Sequence, residues 1–339
     1  MNPSNAEAFM KAAELDVLAV GNAIVDVISH ASDAFLAERA LAKGGMALIN
    51  EATAEALYAE MGPGVEISGG SAGNTIAGVA AFGGRGAFIG KVRDDTLGDI
   101  YRHDLRSLGV RFDTPPARTG LATARCLILV TPDAERTMNT FLGACTVLEE
   151  ADIDEALVAS AGITYLEGYL FDLPPAKAAF RKAAAAARAA GRKVALTMSD
   201  SFCVHRHHQE FLDLIAKHID ILFANEDEIR ALYGTEDIVE AMRIAARHSD
   251  IVAVTRSAAG ALLAGNGELV EVPASRVEAV VDTTGAGDLF AAGMLYGLSR
   301  GLSLQDCGAL GCAAAGEVIS HVGARPQSDL KQLLALTAA

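Results

Sequence analysis

At Asp282-Thr283-Thr284-Gly285-Ala286-Gly287-Asp288-Leu289-Phe290 (DTTGAGDLF) an apolar, strand-like run, Val277–Val281, gives way to a helical pattern. Beyond that point Leu289, Phe290, Gly293, Met294, Gly297 and Leu298 recur at helical spacing, with small residues that allow close packing. A Gly-Ala-Gly turn at a helix start leaves backbone N–H groups pointing outward at the positive end of the helix dipole, which makes an anion site. Phosphoryl transfer needs such a site, because negative charge spreads over the group in flight. Asp288 stands beside it, able to take the proton of an attacking hydroxyl. The same residues also read as a plain strand-to-helix turn with an acid in the favoured first helical turn. P-loop spacing is absent, and Phe290 occupies the place of the third glycine of a dinucleotide fingerprint.

Outward from this segment, short apolar runs alternate with helical stretches. Val17–Gly21, Ala122–Thr131, Gly162–Leu166, Lys193–Thr197, Ile219–Ala224 and Ile251–Thr255 read as strands. Pro175–Ala190 reads as a helix with Gly191 just beyond it as its C-terminal stop. Such alternation predicts an α/β fold with a mostly parallel sheet covered on both faces. Segments 27–50 and 110–143 break the rhythm with strand-like pieces and polar turns, and predict a small β-sheet lid on a single domain spanning 1–339.

A second glycine cluster, Gly69-Gly70-Ser71-Ala72-Gly73-Asn74, precedes another helical stretch. Paired glycines let backbone approach a ligand, and Asn74 adds a donor and an acceptor, which suits a polyhydroxylated molecule. It also reads as a flexible helix cap. Asn22 and Asp26 follow the first strand, where a carboxylate can hold two neighbouring hydroxyls or simply begin a turn. Glu167 follows a strand end as a further acceptor contact or an ordinary exposed acid. Arg136, in the lid segment, is a candidate to bridge acceptor and phosphate.

The run DTTGAGDLFAAGMLYGL resembles the C-terminal signature of the ribokinase-type, or PfkB, carbohydrate kinases, and GGSAGNTIAGVAAFGGRGAFIGKVRDDTLG resembles their N-terminal signature. The resemblance spans roughly residues 17–329. It implies a three-layer α/β/α sandwich with a β lid, ATP and Mg²⁺ as cofactors, an anion hole at Gly285, Ala286 and Gly287, and Asp288 as the base. It also implies acceptor binding by Asp26, with Asn22, and phosphate and Mg²⁺ organisation, through water, by Asn225 and Glu228. Thr255, Ser257 and Gly260 resemble the nucleotide loop, with Arg256 and Ser257 replacing its usual residues. The resemblance also implies a monovalent cation, such as K⁺, near the carbonyls of Asp282–Thr284. VGNAIVDVI and LAKGGMALIN are more similar to bacterial adenosine-kinase-type members than to ribokinase proper. The expected reaction is adenosine to AMP, with Phe35, Met46, Phe141 and Tyr169 as candidates for a base slot. A sugar kinase acting on fructose or ribose is the alternative, and an inactive binding module the second. The protein is expected as a monomer or a homodimer paired through lid strands.

The 339 residues are 51% hydrophobic and 21% charged with a formal net charge of −15, which argues against nucleic acid and anionic membrane as partners. Five cysteines without a CxxC pair point to a reducing cytoplasm. His205, His207 and His208 read as a solvated helix start in preference to a metal site, and no leader is evident at the amino terminus.

Overall fold

Runs of aliphatic and β-branched residues without polar alternation become strands buried on both faces, as in Leu15–Val20 and Ala161–Glu167. The computed structural model describes residues 13–133 and 135–337. The stretch read for a leader lies largely outside the described residues. The strands are β1 (Leu15–Val20), β2 (Ile24–His30), β3 (Met46–Leu48), β4 (Gly64–Ser68), β5 (Gly86–Ile89), β6 (Ala124–Val130) and β7 (Arg136–Phe141). They continue as β8 (Ala161–Glu167), β9 (Lys193–Thr197), β10 (Ile221–Asn225), β11 (Ile251–Thr255), β12 (Ala261–Gly265) and β13 (Glu268–Val272).

The main sheet has the order β13-β12-β11-β10-β9-β8-β1-β5. It is parallel from β5 to β11, and β12 and β13 add an antiparallel edge. Along β1, Val17 and Ala19 enter one core and Leu18 and Val20 the other, as the two-residue repeat of a strand requires. Helices Ser71–Ala81, Ala286–Ser299 and Leu304–Val318 cover the first face; Pro174–Ala189, Ser201–His218, Glu226–Tyr233 and Ile238–Ala245 cover the second. The small residues after Asp288 set the helix spacing: a Cβ at Gly293 would lie 2.6 Å from the backbone of Leu310 and Gly311. The fold is the expected ribokinase-like α/β/α sandwich. Crossovers leave β1 and β8 in opposite directions, so the crevice between their carboxyl ends is where ligands gather in such sheets.

The second sheet, β3-β7-β6-β2-β4, is the lid. Val25, Val27, Leu127, Leu129 and Phe141 pack with Leu36, Ala54 and Leu57 of two covering helices. Its other face carries Ile24, Ile28, Cys126, Ile128 and Met138. Its composition differs from segments 27–50 and 110–143. Strand β4 lies outside both, a short edge strand whose residues are mostly exposed or half-buried and so carry little pattern. Residues 33–38 form a helix, and Arg111 bridges to Ala87 of the main sheet. Val277–Val281 is not a strand: β13 already forms that sheet edge, and the segment is tied to the last core helix by Val281 N–H donating to the Ile319 carbonyl (2.8 Å).

All five cysteines are free and buried. Among the described residues no helix is long and apolar enough to cross a membrane.

Candidate active site

Asp288 sits in the first turn of helix Ala286–Ser299, whose N-cap, Gly285, is left-handed (φ 80°). A side chain at Gly285 would be strained there and would also meet Ala324 at 2.7 Å. The amides of Gly287 and Asp288, at the start of the helix, have no intrahelical acceptor by position. Two residues of the N-terminal glycine cluster reach Asp288: Ser71 Oγ donates to Oδ1 (2.6 Å) and Asn74 Nδ2 to Oδ2 (2.9 Å). Burial pushes the Asp288 carboxyl above its ordinary range, opposed by these two bonds and by the Arg325 charge.

Asp26 faces the same crevice from β2. A Cβ at Gly69 would lie 2.3 Å from its Oδ2, and one at Gly70 (φ 78°) would lie 2.3 Å from the Asn22 carbonyl. The paired glycines are therefore demanded by close contact with these two residues. Burial raises Asp26 to about 7, with Arg325 and Arg136 pulling down and Asp288 pushing up. Asn74 Oδ1 is buried and has no partner, which leaves an acceptor beside Asp288.

Glu167 is not the exposed acid allowed for above. It is 1% exposed and accepts from Asn22 Nδ2 (2.6 Å), Asn22 N (3.3 Å) and Ala72 N (2.8 Å). It ties β1, β8 and the start of helix Ser71–Ala81 together at the crevice, and burial raises its carboxyl to about 7. Arg136 reaches from the lid to the anion turn, pairing with Asp282 and donating to Thr284 Oγ1 (2.9 Å). Asp282 also accepts from Thr284 N (3.0 Å) and Gly323 N (2.8 Å). Its carboxylate is thereby occupied by backbone and guanidinium donors.

A cavity of about 600 Å³ brings together Asp26, Asn74, Arg136 and Thr284 with an apolar wall that includes Ile28, Val65, Ile67 and Val322. The other nucleotide-side candidates do not line it. Asn225 and Glu228 form a reciprocal cap on helix Glu226–Tyr233: Glu228 accepts from Asn225 N and Nδ2 (both 2.8 Å), and Asn225 Oδ1 from Glu228 N (2.8 Å). Buried there, Glu228 is raised to about 7. Thr255, Ser257 and Gly260 form the β11–β12 connection, where Gly260 approaches the Val272 carbonyl too closely for a side chain. Arg256 pairs with Glu226 and Glu271. Of the residues named for a base slot, Phe141 is in the lid's core, Arg39 stacks on Phe35, Met46 is exposed, and Tyr169 lies beyond the cavity wall. His207 bonds Asp172 and His208 the Leu232 carbonyl, and the described residues contain no metal-binding cluster.

Two residues of the site have no role in the motif reading. Ser71 lies inside the quoted N-terminal block, but its partner is 217 positions away. Arg325 has no signal beyond an Arg set between Ala324 and Pro326 in the loop after the last core helix.

Anion-seeking amides at a helix start, a carboxylate in that same turn and a second acid across the crevice equip a phosphotransferase for a hydroxyl acceptor. The chain belongs to the pfkB family of carbohydrate kinases, whose model matches residues 49–331, and is an ATP-dependent kinase. It is 53% identical to an adenosine kinase from Sinorhizobium meliloti, covering 96% of this chain and 100% of that one, with a TM-score of 0.88. It is 50% identical to a probable sugar kinase from Rhizobium etli CFN 42, covering 96% and 99%, with a TM-score of 0.89. A fructokinase from Klebsiella pneumoniae is 28% identical over 74% of this chain and 88% of its own length.

Proposed function

We propose that the protein transfers the γ-phosphoryl group of ATP to the primary hydroxyl of a nucleoside, with adenosine as the preferred acceptor. The observation that carries this reading is the mixed polar and apolar lining of the cavity of about 600 Å³. Asp26 and Asn74 offer a polyol its acceptors, while Ile28, Val65, Ile67 and Val322 offer apolar surface to a base. A free hexose has no use for such a surface. The similarity to the Sinorhizobium adenosine kinase supports the same choice. The Rhizobium etli relative favours a sugar acceptor as the second reading.

In the proposed step Asp288 takes the proton of the attacking hydroxyl, and the amides at Gly287 and Asp288 hold the charge of the phosphoryl group. Asp26 fixes the acceptor's neighbouring hydroxyls, so the attacking oxygen is aligned before transfer. The lid's apolar face excludes water from the crevice. Kinases of this family use ATP with Mg²⁺. Glu228 has both oxygens engaged by Asn225, so the protein presents no ready-made Mg²⁺ ligand there, and no step is assigned to it.

The test is ADP formation with Mg²⁺ and ATP across adenosine, other nucleosides, ribose and fructose. Adenosine should give the highest kcat/KM. Turnover with free sugars and none with nucleosides would replace the acceptor, and silence throughout would leave a binding module.

A further inference from the structure

Arg325 stands in the loop after helix Leu304–Val318, at the wall of the cavity. Its guanidinium donates from Nε to the Ser68 carbonyl (3.0 Å) and from Nη2 to the same carbonyl (2.7 Å) and to Ser68 Oγ (3.0 Å). Nη1 donates to the Gly73 carbonyl (2.6 Å). Ser68 ends β4 and Gly73 lies in the first turn of the next helix, so the fork spans both ends of Gly69-Gly70-Ser71-Ala72. That turn touches both acids of the site. Gly69 packs on the Asp26 carboxylate, and Ser71 donates to Asp288 Oδ1. From the far side, Tyr101 donates to the Gly69 carbonyl (3.3 Å) and Asp104 accepts from Ser68 N (2.9 Å).

We propose that Arg325 is a positioning residue for the acceptor, stapling the turn that sets Asp26 against Asp288. The inference rests on the reading of Asp288 as base toward a hydroxyl. A planar fork is needed, because a lysine ammonium cannot reach both carbonyls and the Ser68 hydroxyl in one plane. The charge has a second effect. The groups facing the two acids are Arg136 from β7, Cys126 from β6, Glu167 and Tyr165 from β8, Tyr169 beyond it, and Tyr101 from helix Thr96–Ser107, whose Asp104 faces Arg325. Burial raises both acids, and Arg325 is a cation that pulls both back down.

The experiment compares wild type with Arg325→Lys and Arg325→Gln in steady-state kinetics with adenosine and with fructose, over pH, alongside thermal melting. Arg325→Lys keeps the charge and loses the fork. It should raise the acceptor KM about tenfold, with the ATP KM within about twofold and the acid limb of kcat/KM in place. Arg325→Gln should add an upward move of that limb by about one pH unit, the size of effect expected on losing an opposite charge nearby. An unchanged acceptor KM in Arg325→Lys overturns the proposal, even if Arg325→Gln fails to fold. So does a lower melting temperature with kcat reduced and both KM and acid limb fixed, since that marks a structural role. An inactive wild type, or an Asp288→Asn enzyme that turns over normally, would instead remove the reading of the base.

Discussion

Asp288→Asn isolates proton acceptance from everything else the carboxylate does. In the wild type Ser71 Oγ donates to one oxygen and Asn74 Nδ2 to the other, at 2.6 and 2.9 Å. An asparagine amide can keep both contacts. Its oxygen still accepts from Asn74, and its NH₂ donates to Ser71, whose hydroxyl rotates to accept. The turn should therefore hold its shape, and the loss should be that of a general base alone. Such bases contribute roughly 10²–10⁴ in rate, so kcat should fall about 10³-fold, or ~4 kcal/mol at ~1.36 kcal/mol per decade. Stability should move the other way. Burial raises the Asp288 carboxyl, so ionising it at neutral pH opposes folding, and a neutral side chain removes that opposition. Coupled ADP release at saturating adenosine, nucleotide titration and thermal melting together test the case. The expected pattern is turnover nearly abolished, ATP affinity within about threefold and a melting temperature equal or higher. Turnover within tenfold of wild type would refute the base, and loss of ATP binding with a lower melting temperature would show that the turn itself had collapsed.

A Cβ at Gly287 meets no protein atom within 4 Å, so Gly287→Ala should leave stability unchanged or raise it by up to ~1 kcal/mol while placing a methyl over the anion turn and cutting kcat/KM at least tenfold. Gly285→Ala should instead destabilise by more than ~1 kcal/mol in urea melts, because its φ of 80° and the contact with Ala324 both resist a side chain. Glu167→Ala orphans buried donors on Asn22 and Ala72 and should cost about 3 kcal/mol in the same melts, with the acceptor KM rising as Asn22 loosens. Asp26, Glu167 and Glu228, all raised to about 7 by burial, bind protons more tightly folded than unfolded. Their contribution to stability is therefore greatest below the unfolded carboxylate range and is lost as pH rises from about 4 to about 7, by up to ~1.4 kcal/mol per unit for each. Urea unfolding at pH 5.5 and 8.0 should find the protein more stable at 5.5, and a flat or rising profile would contradict the buried-acid account.

Legibility in the sequence followed the range over which each feature acts. The turn at Gly285–Asp288 is local, so nine consecutive residues display the helix start, the glycines and the acid together, while the strand read before it is absent. The main sheet is legible for a related reason: strands buried on both faces read as unbroken apolar runs. Glu167 shows the opposite case, since its donors lie 145 and 95 positions away and nothing near it distinguishes a buried clasp from a surface acid. Asn225 and Glu228 are ambiguous by nature. An amide and a carboxylate three residues apart at a helix start make a capping box whether or not a metal ever visits, and the hydrogen bonds here complete the box. Strand β4 and Arg325 were invisible together, because the Ser68 that Arg325 grips ends a strand too short and exposed to announce itself.

On the proposed reading, a chain of net charge −15 admits a nucleotide triphosphate close to Asp26, Glu167 and Asp288. Global charge is the wrong scale for that problem, since a polyanion responds to the groups within a few ångströms. Glu167 is enclosed by amide donors, and burial raises both it and Asp26 toward neutrality. Arg136 bonds Thr284 beside the helix start, the Arg325 charge acts on both Asp26 and Asp288, and the helix start at Ala286 adds its dipole. The same arrangement makes the site unstable by construction. Buried acids with raised proton affinity and an orphaned Asn74 oxygen both weaken the fold at one place. The small-residue packing of helices Ala286–Ser299 and Leu304–Val318 lies directly behind that place. Its glycine contacts hold the helix that carries Asp288 against its neighbour at backbone distance, a rigid support for a site built from buried acids.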